Sequence, residues 1–198
     1  TDHGGRFHSK VNLEQAYPEL LQTREDVPEV IQFFGFEKNT PGEYHSSIIV
    51  PHTHDQADLV WQIESRFDKD GVRRDEADRN ATSKMVEALI EMKAFPELPV
   101  VIANHPSRQP QDDGKFGFTS PADLRAWNDA APDIAVGMAG APGHQAAALN
   151  PDGTLGTERE YARGAYDEQP TFGGFDIMTD ELGGFWDSML GEGRRWWI

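Results

Sequence analysis

Neutral imidazole and carboxylate together suit Zn, Mn or Fe, and this sequence places several of each where the chain turns or an apolar run ends. His3 lies in Thr1-Asp2-His3-Gly4-Gly5, either as a ligand with Asp2 orienting it or as part of an exposed turn. Glu37 closes the apolar run Val30 to Phe36. A carboxylate there needs a cationic partner, since an unpaired buried charge costs several kcal/mol in order of magnitude; otherwise it must turn to solvent. His105 follows the apolar Pro99 to Ala103 and precedes Pro106. Its ring either projects from a strand end toward a pocket or caps the loop. His45 follows a glycine turn and precedes a strand. His52 and His54 form a His-x-His pair that would share one face of a strand, but they fall in a polar loop and make a weaker ligand pair. His8 reads as an exposed loop residue.

Other chemistries are excluded or unsupported. The 198 residues contain no Cys, so there is no thiolate metal site, Cys nucleophile or disulfide framework. Gly-x-Ser-x-Gly, a P-loop, a Rossmann glycine fingerprint and His-Glu-x-x-His do not occur. Lys and Arg number 18 against 34 Asp and Glu, a net charge of −16, which repels nucleic acid and anionic membrane surfaces. A small phosphate ester can still bind if cations sit in its site. Eleven Phe and five Trp argue against disorder. Apolar runs such as Ile48 to Val50 fall far short of the ~20 residues of a membrane span, so the expectation is a soluble chain of unassigned compartment.

The elements that must position these residues follow from periodicity and punctuation. Leu13 to Val27 has helical spacing and ends at Pro28; Val30 to Phe36 reads as a buried strand; Asn39-Thr40-Pro41-Gly42 is a turn; Ser46 to Val50 is a strand. Gln56 to Phe67 and Asp75 to Phe95 read as helices, and Pro99 to Ala103 as a strand. Ser120 caps a helix with Pro121 at its first position, running to Ala130. Ile134 to Met138 is a strand leading into Gly140-Ala141-Pro142-Gly143-His144, Thr179 to Leu190 is a helix, and Trp196 opens a last strand. Helices alternating with two-sided apolar strands predict parallel strands with crossover helices, a barrel or a doubly wound sheet. In either, functional residues belong at strand C-termini, where Glu37, His105 and His144 fall. No repeat or linker divides residues 1–198, which read as one domain. The opening at Thr1 and the strand-like Arg195 to Ile198 suggest a central portion of a longer chain.

Taken in order, Thr1-Asp2-His3, Gly35-Phe36-Glu37 followed by His45, and Asn104-His105-Pro106 resemble the motif series of the polymerase and histidinol phosphatase superfamily. The resemblance spans nearly the whole sequence, without the family's opening His-x-His and closing Asp-x-His. It implies an α/β fold of the distorted (β/α)7 TIM-like barrel type, incomplete at both ends, with two to three divalent metals (Mn, Zn or Fe) at the strand C-termini. The implied activity is hydrolysis of a phosphate ester by a metal-bound hydroxide. In that arrangement Glu37 bridges two metals, His45 and His105 bind one of them, His3 binds the third, and Asp2 orients His3. Arg108 would grip phosphate oxygens or stand as a surface residue, and His144 would contact substrate or act as a general acid. A small phosphorylated substrate is the implied partner. Two alternatives remain open: hydrolysis of a C–N bond with the same metals, and a non-catalytic binding domain.

Overall fold

The computed structural model describes residues 2–71, 75–108, 116–141, 147–159, 175, 177–180 and 183–198. Five strands form one sheet in the order β1 (Asp2–His3), β2 (Phe34–Asn39), β3 (His45–Val50), β4 (Val100–Asn104) and β5 (Ala135–Met138). β1 runs parallel to β2 and β4 parallel to β5, while β3 is antiparallel to both its neighbours. Four strands thus share a direction and the middle one is reversed. β1 and β5 stand at opposite sides and do not pair, so the expected (β/α)7 barrel is overturned: the sheet is open and mixed.

The reversal has a local cause. Thr40-Pro41-Gly42-Glu43 closes a tight turn, the Glu43 N–H donating to the Thr40 carbonyl at 3.1 Å. Pro41 occupies the position its fixed φ favours, and Gly42 has φ 76°, the type II pattern. So short a connection can join only antiparallel strands. The turn recognised in the sequence therefore excluded the all-parallel order inferred from the elements around it.

Alternation along the strands divides the sheet into two faces. Phe34, Phe36, Ile48, Val50, Val101, Ala103 and Ala135 are buried beneath the apolar faces of α3 (Gln56–Phe67), α4 (Thr82–Met92) and α5 (Pro121–Ala130). Glu37, Ser47 and Asn104 point to the other face and are half-buried. The α5 cap is as expected: Ser120 and Asp123 form a capping box. Before the sheet, α1 (His8–Val11) passes through a π-helical stretch, Asn12–Ala16, into α2 (Tyr17–Asp26). Pro18 lacks an N–H and its ring crowds the carbonyl a turn earlier, and a widened turn relieves that conflict.

Several expected boundaries shift. The strand begins at Phe34, not Val30, leaving Ile31 and Phe33 exposed. The helix expected over Asp75 to Phe95 is confined to Thr82–Met92. The one expected over Thr179 to Leu190 divides into α6 (Ile177–Asp180) and α7 (Phe185–Gly191), and a separate hairpin pairs β6 (Ala147–Leu149) with β7 (Leu155–Arg159). Trp196 is buried and Trp197 forms a parallel bridge to Gly137 beside β5. Among the described residues no helix is long and apolar enough to cross a membrane.

Candidate metal centre

One end of the sheet collects four side chains. His3 comes from the end of β1, Glu37 from β2, and His105 from just past β4. His45 opens β3 and reaches the same end because β3 is reversed, so strand C-termini supply only part of the set. The Nε2 atoms of His3 and His45 are 3.0 Å apart, and His45 Nδ1 is 3.1 Å from His105 Nε2. Glu37 Oε1 stands 3.6 Å from each of these last two nitrogens. One donor atom each from His3, Glu37 and His45 lies within 4.8 Å of the others. Two nitrogens bound at the usual 2.0–2.1 Å to one tetrahedral ion are about 3.3 Å apart, so each pair taken alone fits an ion. His45, however, faces His3 with Nε2 and His105 with Nδ1, and a neutral imidazole offers a lone pair at only one of them.

The surroundings fix what each donor presents. His3 Nδ1 meets the Gly4 carbonyl at 3.0 Å; a carbonyl only accepts, so the proton resides on Nδ1 and Nε2 keeps its lone pair. Asp2 does not perform the orienting role expected of it, because adjacent strand residues point to opposite faces. Asn104 Nδ2 donates to Glu37 Oε1 at 3.1 Å and the same amide group exchanges contacts with Ser47 Oγ. Burial pushes the Glu37 carboxyl up, but the Asn104 hydrogen bond and the three imidazoles outweigh it and hold the group below its usual range. Burial, with the His3, Arg108 and Lys69 charges, lowers His45 to about 4 against the pull of Glu37. It is a neutral donor at ordinary pH.

Gly4 lets β1 come close. A Cβ there would stand 2.2 Å from Asp68 Oδ2. Asp68, at the end of α3, is buried and accepts from the Asn39 backbone N–H at 2.8 Å and from that of Asp70 at 3.0 Å. Lys38, on the helix-covered face, is fully buried with Nζ 3.4 Å from Met85 Sδ. Burial pushes it down to about 7, with Asp68 opposing.

The candidates beyond the four scatter. His52 and His54 lie past the far end of β3, exposed. His8 is not an exposed loop residue: in α1 its Nδ1 is 2.5 Å from Oε1 of the wholly buried Glu64, whose Oε2 accepts from Asn12 at 2.8 Å. That makes it a packing partner. His144 lies outside the described residues. Arg108 is half-buried in the turn after His105, its N–H donating to the His105 carbonyl at 3.0 Å.

Sequence reading gave no role to Asn104, Tyr44 or Lys69. Asn104 was visible only as the first letter of its motif, whereas Lys69 approaches through the fold alone. Its Nζ donates to the Glu43 carbonyl at 2.5 Å and lies 5.9 Å from the Phe118 ring centroid. Three imidazoles and one carboxylate thus gather at one end of the sheet, and three of them, His3, Glu37 and His45, offer donor atoms within 4.8 Å of one another. No family model, curated protein or solved structure matches the chain.

Proposed function

We propose that the chain is a metal-dependent phosphoesterase whose His3, Glu37, His45 and His105 hold divalent ions. One observation carries this reading: the four donors, spread over 103 positions of sequence from His3 to His105, meet at 3.0–3.6 Å between neighbours. The donor chemistry fits. His45 is neutral at ordinary pH, as a lone-pair donor to a cation must be, and Glu37 is held below its usual range. The mixed nitrogen and oxygen set suits Zn, Mn or Fe. The order of the motifs, with its resemblance to the polymerase and histidinol phosphatase superfamily, supports the phosphoester assignment.

Bound metal would lower the pKa of a coordinated water and neutralise phosphate charge. The protein's own groups do the rest. Asn104 aims Glu37, the Gly4 carbonyl sets the His3 tautomer, and Arg108 supplies a cation for phosphate oxygens. The acidic chain can thus admit an anion where its general field opposes one.

The test is elemental analysis after loading with Mn or Zn, together with turnover of an aryl phosphate and its inhibition by inorganic phosphate. Two to three metals per chain with phosphate-inhibited turnover is the expected result. Under one metal per chain overturns the centre. Bound metal with amide hydrolysis and no phosphate turnover moves the assignment to C–N bonds, and bound metal with neither activity moves it to a binding domain.

A further inference from the structure

Beside the imidazole cluster stands a wall that the metal centre leaves unused. Outward from His105, the Tyr44 ring lies 6.1 Å away, the Phe118 ring 5.6 Å from Tyr44, and the Lys69 ammonium 5.9 Å from Phe118. Phe118 keeps 50% of its surface exposed beside Tyr44 and the Lys69 ammonium. The Arg108 backbone N–H donates to the His105 carbonyl at 3.0 Å, which sets its main chain at the imidazole end of the sheet. The Arg108 charge bears on both the Tyr44 hydroxyl and His45, and that of Lys69 also reaches His45. In a chain with 18 cations against 34 acids, the fields of two cations act on one imidazole. The acids that act on Lys69 are Asp70, then Glu43, then Asp68; of these Asp68 is engaged by Asn39 and the Asp70 backbone.

Cations next to exposed aromatic faces are what an anionic group attached to a flat ring requires. The cations grip the oxygens, and the rings stack on or edge against the attached ring. We propose that this wall is the substrate seat, with Lys69 and Arg108 holding the phosphate and Tyr44 and Phe118 receiving a planar ring, so that the substrates are aryl or heteroaryl phosphate monoesters rather than small aliphatic ones. The proposal rests on the phosphoesterase reading above and narrows it. The simpler role for Lys69 is to pin the β2–β3 turn through the Glu43 carbonyl, and the experiment separates the two.

Phenylphosphonate and methylphosphonate, which carry no ester bond to hydrolyse, are titrated calorimetrically into the metal-loaded chain. Phenylphosphonate should bind about three- to tenfold tighter, the range that one aromatic contact supplies. Phe118→Ala should bring the ratio close to one, and Phe118→Leu should recover only part of it. Lys69→Gln should weaken both ligands at least about tenfold, as loss of a charged hydrogen bond does, with metal content unchanged and Lys69→Arg restoring affinity. Equal affinities in the parent chain, or a ratio unmoved by Phe118→Ala, overturn the ring seat. Undiminished affinity in Lys69→Gln, or a loss that accompanies loss of metal, overturns the clamp and leaves Lys69 as a turn pin. Failure of both phosphonates to bind a chain that holds its metal removes the phosphoesterase reading as well, whereas equal binding of both removes the seat alone.

Discussion

His105 has φ 36°, in the left-handed region that a side chain enters only at a cost of about 1–2 kcal/mol. The residue that tolerates this backbone best is glycine, yet the chain places an imidazole there, 3.1 Å from His45. A ligand that must sit at a strained position gives opposite answers to two substitutions. His105→Ala should lose metal and keep the strain. His105→Gly should lose metal equally but be more stable than the Ala variant by about 1 kcal/mol, read as the difference in urea midpoints. Equal metal retention in both would remove His105 from the donor set. Asn104→Ala should leave the fold in place and weaken metal binding about 10–100-fold, because it frees the Glu37 carboxylate to rotate; a competitive chelator titration reads this directly. At this scale the sequence was informative about donors and silent about their supports. His3, Glu37, His45 and His105 were legible only as an ordered set of motifs, since His45 alone reads as a loop residue, and the structure brings the four side chains together. Whether a carbonyl or Asp2 orients His3 depends on which face each strand residue takes.

The β2–β3 turn brings a buried acid along with it. Glu43 is 2% exposed, and its carboxyl lies beside Thr119 and Asp123 without a well-formed hydrogen bond to either. Burial pushes it up to about 8 from 4.5. Above 4.5 the unfolded chain gives up the proton that the native chain keeps until about 8, so this residue lowers native stability as pH rises through that interval. Glu43→Gln cannot ionise. In the metal-free chain its stability relative to the parent should grow between about pH 5 and about pH 8, measured by urea denaturation; a pH-independent difference would show that Glu43 is ionised throughout. Punctuation made the elements on either side legible. Asp55 to Asp68 brackets a helix that forms as expected over Gln56–Phe67, and the α5 capping box holds. The Val30 to Phe33 run failed as strand because apolar content alone does not say which residues have a partner strand to bond.

At the scale of the molecule the four donors tie β1, β2, β3 and the end of β4 together, so metal should act as a clasp across the sheet. At a free concentration one hundred times Kd it contributes about 2.7 kcal/mol to the native state. For a chain of this size that is a rise in Tm of roughly 5–10 °C, reversed by EDTA; an unchanged Tm with bound metal would place the ion on an already rigid surface site. The overall topology was the least legible feature. Alternating helices and strands imply parallel crossovers only while every connection is long, and Thr40 to Glu43 is short.

That single reversed strand also orders events in time. Glu37 and His45 are eight residues apart in sequence and joined by a tight turn, and hairpins close in about 1–10 μs. The contacts from His45 to His3 and to His105 span 42 and 60 residues and must wait for larger loops to close, which carries more chain entropy. Loop lengths therefore favour early pairing of Glu37 with His45, ahead of the contacts to His3 and His105. A cation present during refolding meets a two-point ligand first and recruits the distant imidazoles to it, and refolding in Zn or Mn should then be faster than refolding followed by loading.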